Sequence, residues 1–387
     1  MRKKSNIYLL IITFISTIAL NMAHPVTPVL IRTLELPSFM FGVLFAAMSV
    51  GNFMFSPIWG VLSDTQGRIK YLIIGLLGYG ISQLGFGYST NIIAIIIFRF
   101  LGGAFVTSYL TVIIAYLTDI NTKETRLKIM AYYSAVYTAG GAIGALLGGL
   151  IGNKNYKTSF LVQFIICVAV SGLIYIMFKE TVEKKSEAVK IKLNTFSFKN
   201  NGNPLNMNVV LIMTIVSMFF FSGTSYNSTI NFYIESVLNL PPSFNGLFLS
   251  VAGVLGFLAN VILTPYIGKK YDDRKSFKVI TLILSVVMVI AALTSNTIIF
   301  FVFIILYVTI SSVYVPIQQN IVTKLAKDNY GALMGLQNSS KAAGMVLGSL
   351  FAGFIFDFGS KLPFLASSFI LFIGFIILTR INIEAEV

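Results

Sequence analysis

Twelve separate apolar stretches run through this chain, and each approaches the roughly 20 residues that carry an α-helix across a hydrocarbon core about 30 Å thick. They lie near residues 6–31, 39–62, 71–89, 92–118, 128–150 and 158–178, then near 207–232, 243–267, 277–295, 297–323, 332–356 and 361–380. Lipid offers nothing for a backbone N–H or C=O to bond to, so each stretch is expected as an unbroken helix and the fold as an all-α membrane protein. Composition agrees. Only 11% of the 387 residues are charged and the mean hydropathy is +0.84, whereas a soluble domain carries about 25% charge. The first stretch has no small-residue cleavage site and is one of many, so it reads as a span and not as a signal peptide.

The formal net charge of +14 invites a nucleic-acid reading, but the position of the charges argues against it. If the Arg2-Lys3-Lys4 terminus faces the cytoplasm, 22 of the 28 Lys and Arg fall in cytoplasmic segments. Only Arg32, Lys154, Lys157 and Lys361 fall outside, and Arg99 and Lys341 lie within spans. Positive residues accumulate on the cytoplasmic side. The expected arrangement is a multi-pass protein of the cell membrane with both termini inside, partnered by the bilayer and not by nucleic acid. The single cysteine, Cys167, sits in the apolar run FIICVAV, which leaves no disulfide framework and no Cys-based metal site.

The longest cytoplasmic segment, 179–206, is rich in Lys, Glu, Asn and Ser and reads as a solvated linker. It divides the chain into a six-helix bundle over 1–178 and a second over 207–387. The halves echo one another. Ser56-Pro57-x-x-Gly60-x-x-x-Asp64 recurs as Thr264-Pro265-x-x-Gly268-x-x-x-Asp272, and Gly140, Gly144 and Gly149 recur as Gly344, Gly348 and Gly353. Duplicated halves related by an axis along the membrane normal imply a substrate path that opens to alternate sides.

At these residues the chain resembles the major facilitator superfamily over essentially its whole length. Gly60-Val61-Leu62-Ser63-Asp64-Thr65-Gln66-Gly67-Arg68-Ile69-Lys70 is similar to that family's signature loop between helices 2 and 3, with Thr65 and Ile69 where basic residues are usual. The resemblance implies a conformational switch at Gly60, Asp64, Gly67 and Arg68, with Asp64 latching the two halves. Arg99-Phe100-Leu101-Gly102-Gly103 is similar to an Arg-x-x-Gln-Gly pattern of the twelve-span drug:proton antiporters. Gly140-x-x-x-Gly144-Ala145-x-x-Gly148-Gly149 is similar to their helix 5 motif, with Ala145 in place of Pro, and Pro25-Val26-Thr27-Pro28 matches a further element of that branch. The glycines Gly140, Gly144, Gly148 and Gly149 are expected to let helix 5 approach its neighbour across the boundary between halves.

Ionisable side chains within spans are costly and read as functional. Arg99 and Lys341 are two, and His24, the only histidine, sits beside Asn21 in span 1. All 14 carboxylates fall in loops or at helix ends, Glu35 and Glu235 among them. Proton coupling is therefore assigned to His24 or Arg99. The resemblance implies a cavity lined by helices 1, 4, 7 and 10 with 5, 8 and 11 alongside. The candidate substrate-binding residues are then Asn21, Arg99, Tyr109, Tyr137, Tyr226, Asn227, Asn231, Tyr307, Tyr314, Gln318, Gln337 and Lys341. No Gly-Lys-Ser/Thr loop points to ATP drive, and no cofactor or metal is expected. The expected function is proton-coupled efflux of small amphipathic molecules by a monomer working through alternating access. Export of a specific anionic or zwitterionic metabolite such as a metal chelator is the alternative within transport, and a membrane sensor or scaffold the alternative outside it.

Overall fold

The computed structural model describes residues 2–182, 207–325 and 330–380, so most of the linker, from 183 on, lies outside the described residues. The first span is α1 (Arg2–Asn21), a 3-10 turn at His24–Val26 and α2 (Thr27–Thr33). Next come α3 (Met40–Gln66), α4 (Arg68–Tyr88), α5 (Ile92–Ile120), α6 (Lys123–Gly152) and α7 (Tyr156–Met177). The second half holds α8 (Met207–Ser236), α9 (Pro242–Lys270), α10 (Asp273–Leu293), α11 (Thr297–Leu325), α12 (Tyr330–Phe356) and α13 (Leu362–Arg380). Twelve helical segments among the described residues are long and apolar enough to cross a membrane. Several outrun their apolar cores. Both α3 and α9 carry the helix on to Gln66 and Lys270, where polar side chains meet water.

The chain forms two compact units. One comprises Met1–Pro37, Ala47–Thr195 and Ile234–Gly253, the other Ser38–Ala46, Phe196–Tyr233 and Val254–Val387. In the first, α4 packs on α5 and α7 while α1 packs on α6 and α7, around a core that includes Leu76, Tyr79, Tyr109, Val112 and Cys167. In the second, α10 packs on α11 and α13, and α12 on α13.

Glycine sets the closest approaches, because only a missing Cβ lets backbones touch. A Cβ on Gly140, Gly144 or Gly148 of α6 would strike Thr17 or the Ile18 carbonyl of α1, or the Met22 carbonyl just past its end. In the second unit a Cβ on Gly344 or Gly348 of α12 would strike Ser217 or Phe221 of α8. Three of the four motif glycines thus pack within the first half of the chain, against the expectation that they bridge the halves. Each seam closes a helix onto the first helix of its own repeat. Gly149 alone turns elsewhere, towards Gly246 of α9 with a Cβ-to-Cα approach of 3.2 Å.

Span 1 departs from the expected unbroken helix. Pro25 and Pro28 have no N–H to donate to the carbonyls four residues back, so α1 stops at Asn21 and the chain passes through the 3-10 turn before α2. The freed Leu20 carbonyl accepts from the Tyr79 hydroxyl at 2.9 Å, and Gln163 Nε2 donates to that hydroxyl at 3.0 Å. Broken backbone survives at membrane depth because neighbouring helices satisfy it.

Candidate functional site

The break in span 1 gathers the polar side chains of the first unit. His24 stands in the 3-10 turn and lies within electrostatic reach of Arg99 on α5, as does Tyr79 on α4. The Arg99 guanidinium is fully enclosed. It lies 3.4 Å from Gln83 Oε1 and 4.9 Å above the Phe86 ring, and no carboxylate among the described residues pairs with it. A cation held only by an amide and an aromatic face retains most of its charge for another partner. Asn21 donates to the Thr17 carbonyl at 2.9 Å, and Tyr137 lies beside Tyr133 with ring centroids 6.0 Å apart. Tyr109 is enclosed in the hydrophobic core of the unit.

The second unit holds an aromatic and amide cluster. Tyr314 of α11 stacks on Phe219 of α8 with centroids 3.7 Å apart, and Phe277 of α10 flanks it at 4.8 Å. Tyr307 shares a hydrogen bond of 3.1 Å with Ser222 and lies 5.2 Å from the Tyr226 ring. Gln337 donates to Gln319 Oε1 at 2.9 Å, whereas the buried amide of Gln318 has no protein partner among the described residues. Lys341 is half-buried on α12, with Nζ 5.5 Å from the Phe220 ring and no carboxylate paired with it among the described residues. Asn231 is buried and donates to the Asn227 carbonyl one turn earlier, while Asn227 itself is exposed.

The loop motif builds a third, charged cluster within the first unit. Gly67 adopts φ 107°, a conformation that strains side-chain-bearing residues, and so admits the sharp turn from α3 into α4. Arg68 pairs with Asp64 one turn back, donates from Nε to Asp119 Oδ2 at 2.9 Å and from Nη1 to Ser63 Oγ at 2.9 Å. Glu180, just past α7, caps α4. Its carboxylate accepts from the Arg68 N–H at 2.7 Å and the Ile69 N–H at 3.1 Å, and from the N–H groups of Thr181 and Val182. Burial alone would raise its pKa, but these four donors hold it below the usual carboxylate range. In the second half Asp272 caps its own helix, accepting from Arg274 and Lys275 N–H groups. The repeated aspartates therefore diverge, and Asp64 is left to Arg68.

Sequence reasoning did not single out Tyr79, Gln83, Gln163 or Glu180. The first three lie on α4 and α7, the third and sixth spans, outside the helices that the resemblance places along the cavity. Glu180 caps a helix 112 residues away in the chain, and no local pattern marks such a partner.

Charged and amide side chains within apolar spans are retained where solutes pass, and across twelve membrane-capable helices among the described residues they point to a membrane transporter. Comparison with known proteins narrows that class. The sequence profile of the Major Facilitator Superfamily matches residues 9–342 and 259–385, and the chain belongs to that family. It is 25% identical over 379 residues to Multidrug resistance protein 1 of Bacillus subtilis (strain 168), covering 96% of this chain and 95% of that one. It is 22% identical over 359 residues to the quinolone resistance protein NorA of Staphylococcus aureus (strain COL), covering 90% and 89%. Among solved structures, a bacterial homologue of the human lysosomal transporter Spinster superposes with a TM-score of 0.79 at 14% identity, over 98% of this chain and 96% of that one. The nucleoside transporter NupG gives 0.79 at 13% identity over 98% and 100%. These likenesses show a shared fold.

Proposed function

We propose that this transporter exports small amphipathic molecules across the cell membrane in exchange for protons, with both termini in the cytoplasm. The observation that carries the reading is near-full-length similarity to relatives named for multidrug and quinolone resistance. The stacked Phe219–Tyr314 pair, Tyr226, Tyr307 and the Gln318 amide supply flat apolar faces with scattered hydrogen-bonding groups, which suit such molecules. His24, held at the break of span 1 near Arg99, is the proton carrier in this reading. The test is transport by the purified protein in vesicles with an imposed pH gradient, using fluorescent cationic, neutral and anionic amphipaths. Uphill movement that collapses with the gradient is expected. His24→Gln should abolish it while leaving downhill exchange. Absence of gradient-dependent movement for every probe would overturn the reading.

A second reading, export of an anionic or zwitterionic metabolite, is favoured by Arg99 and Lys341. They are cations within spans to which no described carboxylate is paired. In the vesicle assay it is distinguished by preference for the anionic probe.

A further inference from the structure

One carboxylate is buried where the sequence places it at a helix end. Glu235 is the penultimate residue of α8, yet only 2% of it is exposed. Neither carboxylate oxygen receives a hydrogen bond from a described protein donor. Its single ion-pair partner among the described residues is Arg32 at the end of α2, with Nε 2.9 Å from Oε1 but the N–H not aligned into a hydrogen bond. The pair is lopsided: the Arg32 side chain is 61% exposed and that of Glu235 is 3% exposed. Both ends belong to the first unit.

The other charged residues in the loops on the same side of the spans are engaged elsewhere or lie outside the pair. Glu35 occupies the turn after α2 and Lys154 the turn after α6, and neither forms an ion pair among the described residues. Lys157, at the start of α7, lies over the Tyr88 ring. Across α9, Asn153 meets the Ser243 N–H through its amide oxygen, an uncharged contact. His24 lies within electrostatic reach of Arg99.

The two partners face opposite consequences on separation. Arg32 can move into water at little cost because it is already largely there. Glu235 cannot, and an ionised carboxylate left buried and unpaired costs several kcal/mol unless it is neutralised. Taking a proton would remove that cost. One proton from water adds to the Glu235 carboxylate, the Arg32 guanidinium keeps its own proton, and a neutral acid replaces the ion pair. We propose that Glu235 is a proton-binding site whose occupancy controls the contact between the end of α2 and the end of α8. Deprotonated, it holds Arg32; protonated, it lets the two helix ends part. The site is independent of which solute is carried and of the proton carrier assigned to His24.

The test uses the full-length protein in lipid nanodiscs and two readouts. Infrared difference titration follows the protonated carboxyl stretch in wild type, Glu235→Gln, Arg32→Gln and Arg32→Lys. A titrating band is expected in wild type, lost in Glu235→Gln and restored near its wild-type midpoint in Arg32→Lys. In Arg32→Gln the midpoint should move up by about 1 to 3 pH units, because the opposite charge that favours the carboxylate is gone. Spin labels on Thr33→Cys and Val237→Cys, with Cys167→Ser, report the separation of the two ends. Both sites are exposed. A longer distance is expected to appear as pH falls through the same midpoint, and not in Glu235→Gln. Arg32 is exposed enough that its variants should fold, which keeps the test decisive if Glu235→Gln does not. A carboxyl titration that Arg32→Gln leaves in place, or a distance that ignores pH, overturns the proposal.

Discussion

Between the two transport readings proposed above, Lys341 is the residue that discriminates. An ammonium near the bilayer centre costs about 2.5–3.5 kcal/mol on insertion scales, and the Phe220 face 5.5 Å away returns only part of that. Lys341→Gln is expected to weaken binding of an anionic ligand at least about tenfold, about 1.4 kcal/mol, and to leave a matched neutral ligand nearly unchanged. Equilibrium binding of a neutral, anionic and cationic series to purified wild type and variant checks this, and equal effects on all three would make the lysine structural. Glu180 has a different kind of role, written in pH. Its folded pKa lies below the ordinary value, so its contribution is complete above the unfolded carboxylate range, near 4.3. It is lost as pH falls through the lower folded value. Melting of the wild type should therefore decline more steeply than that of Glu180→Gln as pH is lowered from 5 towards 3, and parallel curves would discount the cap. Lys341 was legible in the sequence because a charge inside an apolar run stands out. Glu180 was not, because its partners are backbone N–H groups at Arg68 and Ile69.

At the scale of elements, the break in span 1 and the glycine seams do most to shape the first unit. The prolines that stop α1 were visible in the sequence as Pro25 and Pro28. Their effect depends on whether a neighbour can take the freed carbonyl, and Tyr79 of α4 does so. Tyr79→Phe removes that donor and the acceptor of Gln163 together, leaving buried polar groups unpaired at a cost of about 1–3 kcal/mol. Chemical denaturation of the purified variant should show a loss in that range. A loss below about 0.5 kcal/mol would mean the break is satisfied another way. The α6 glycines teach a complementary lesson. Their spacing shows that some helix comes close, but spacing does not name the helix: three of them meet span 1 and Gly149 meets α9.

For the whole molecule, transport by alternating access depends on the balance between states, and the switch role proposed for Asp64 would act on that balance with little effect on stability. Its side chain is 61% exposed in the pair with Arg68, and exposed pairs contribute at most about 1 kcal/mol to folding. Asp64→Asn is therefore expected to melt within a few degrees of wild type, yet to reduce transport in vesicles about tenfold or more, the effect of about 1.4 kcal/mol on a conformational equilibrium. Wild-type transport by a well-folded Asp64→Asn protein would remove the switch role.

Span number, helical class, the internal sequence repeat and the loop motif were all legible in the sequence. Each follows from a local rule: apolar length against bilayer thickness, the backbone's need for internal hydrogen bonds, and the repeat of Pro, Gly and Asp at nearly one offset. What only the tertiary structure decided is which polar groups meet. Arg68 bridges Asp64 and Asp119, Glu180 caps α4, Tyr79 mends the break before His24, and Glu235 is enclosed against Arg32. These pairings join residues from 4 to more than 200 positions apart. Inside a membrane the apolar pattern that defines each helix is nearly the same on every side. It therefore says little about rotation or neighbours, and close packing together with the few polar groups settles both.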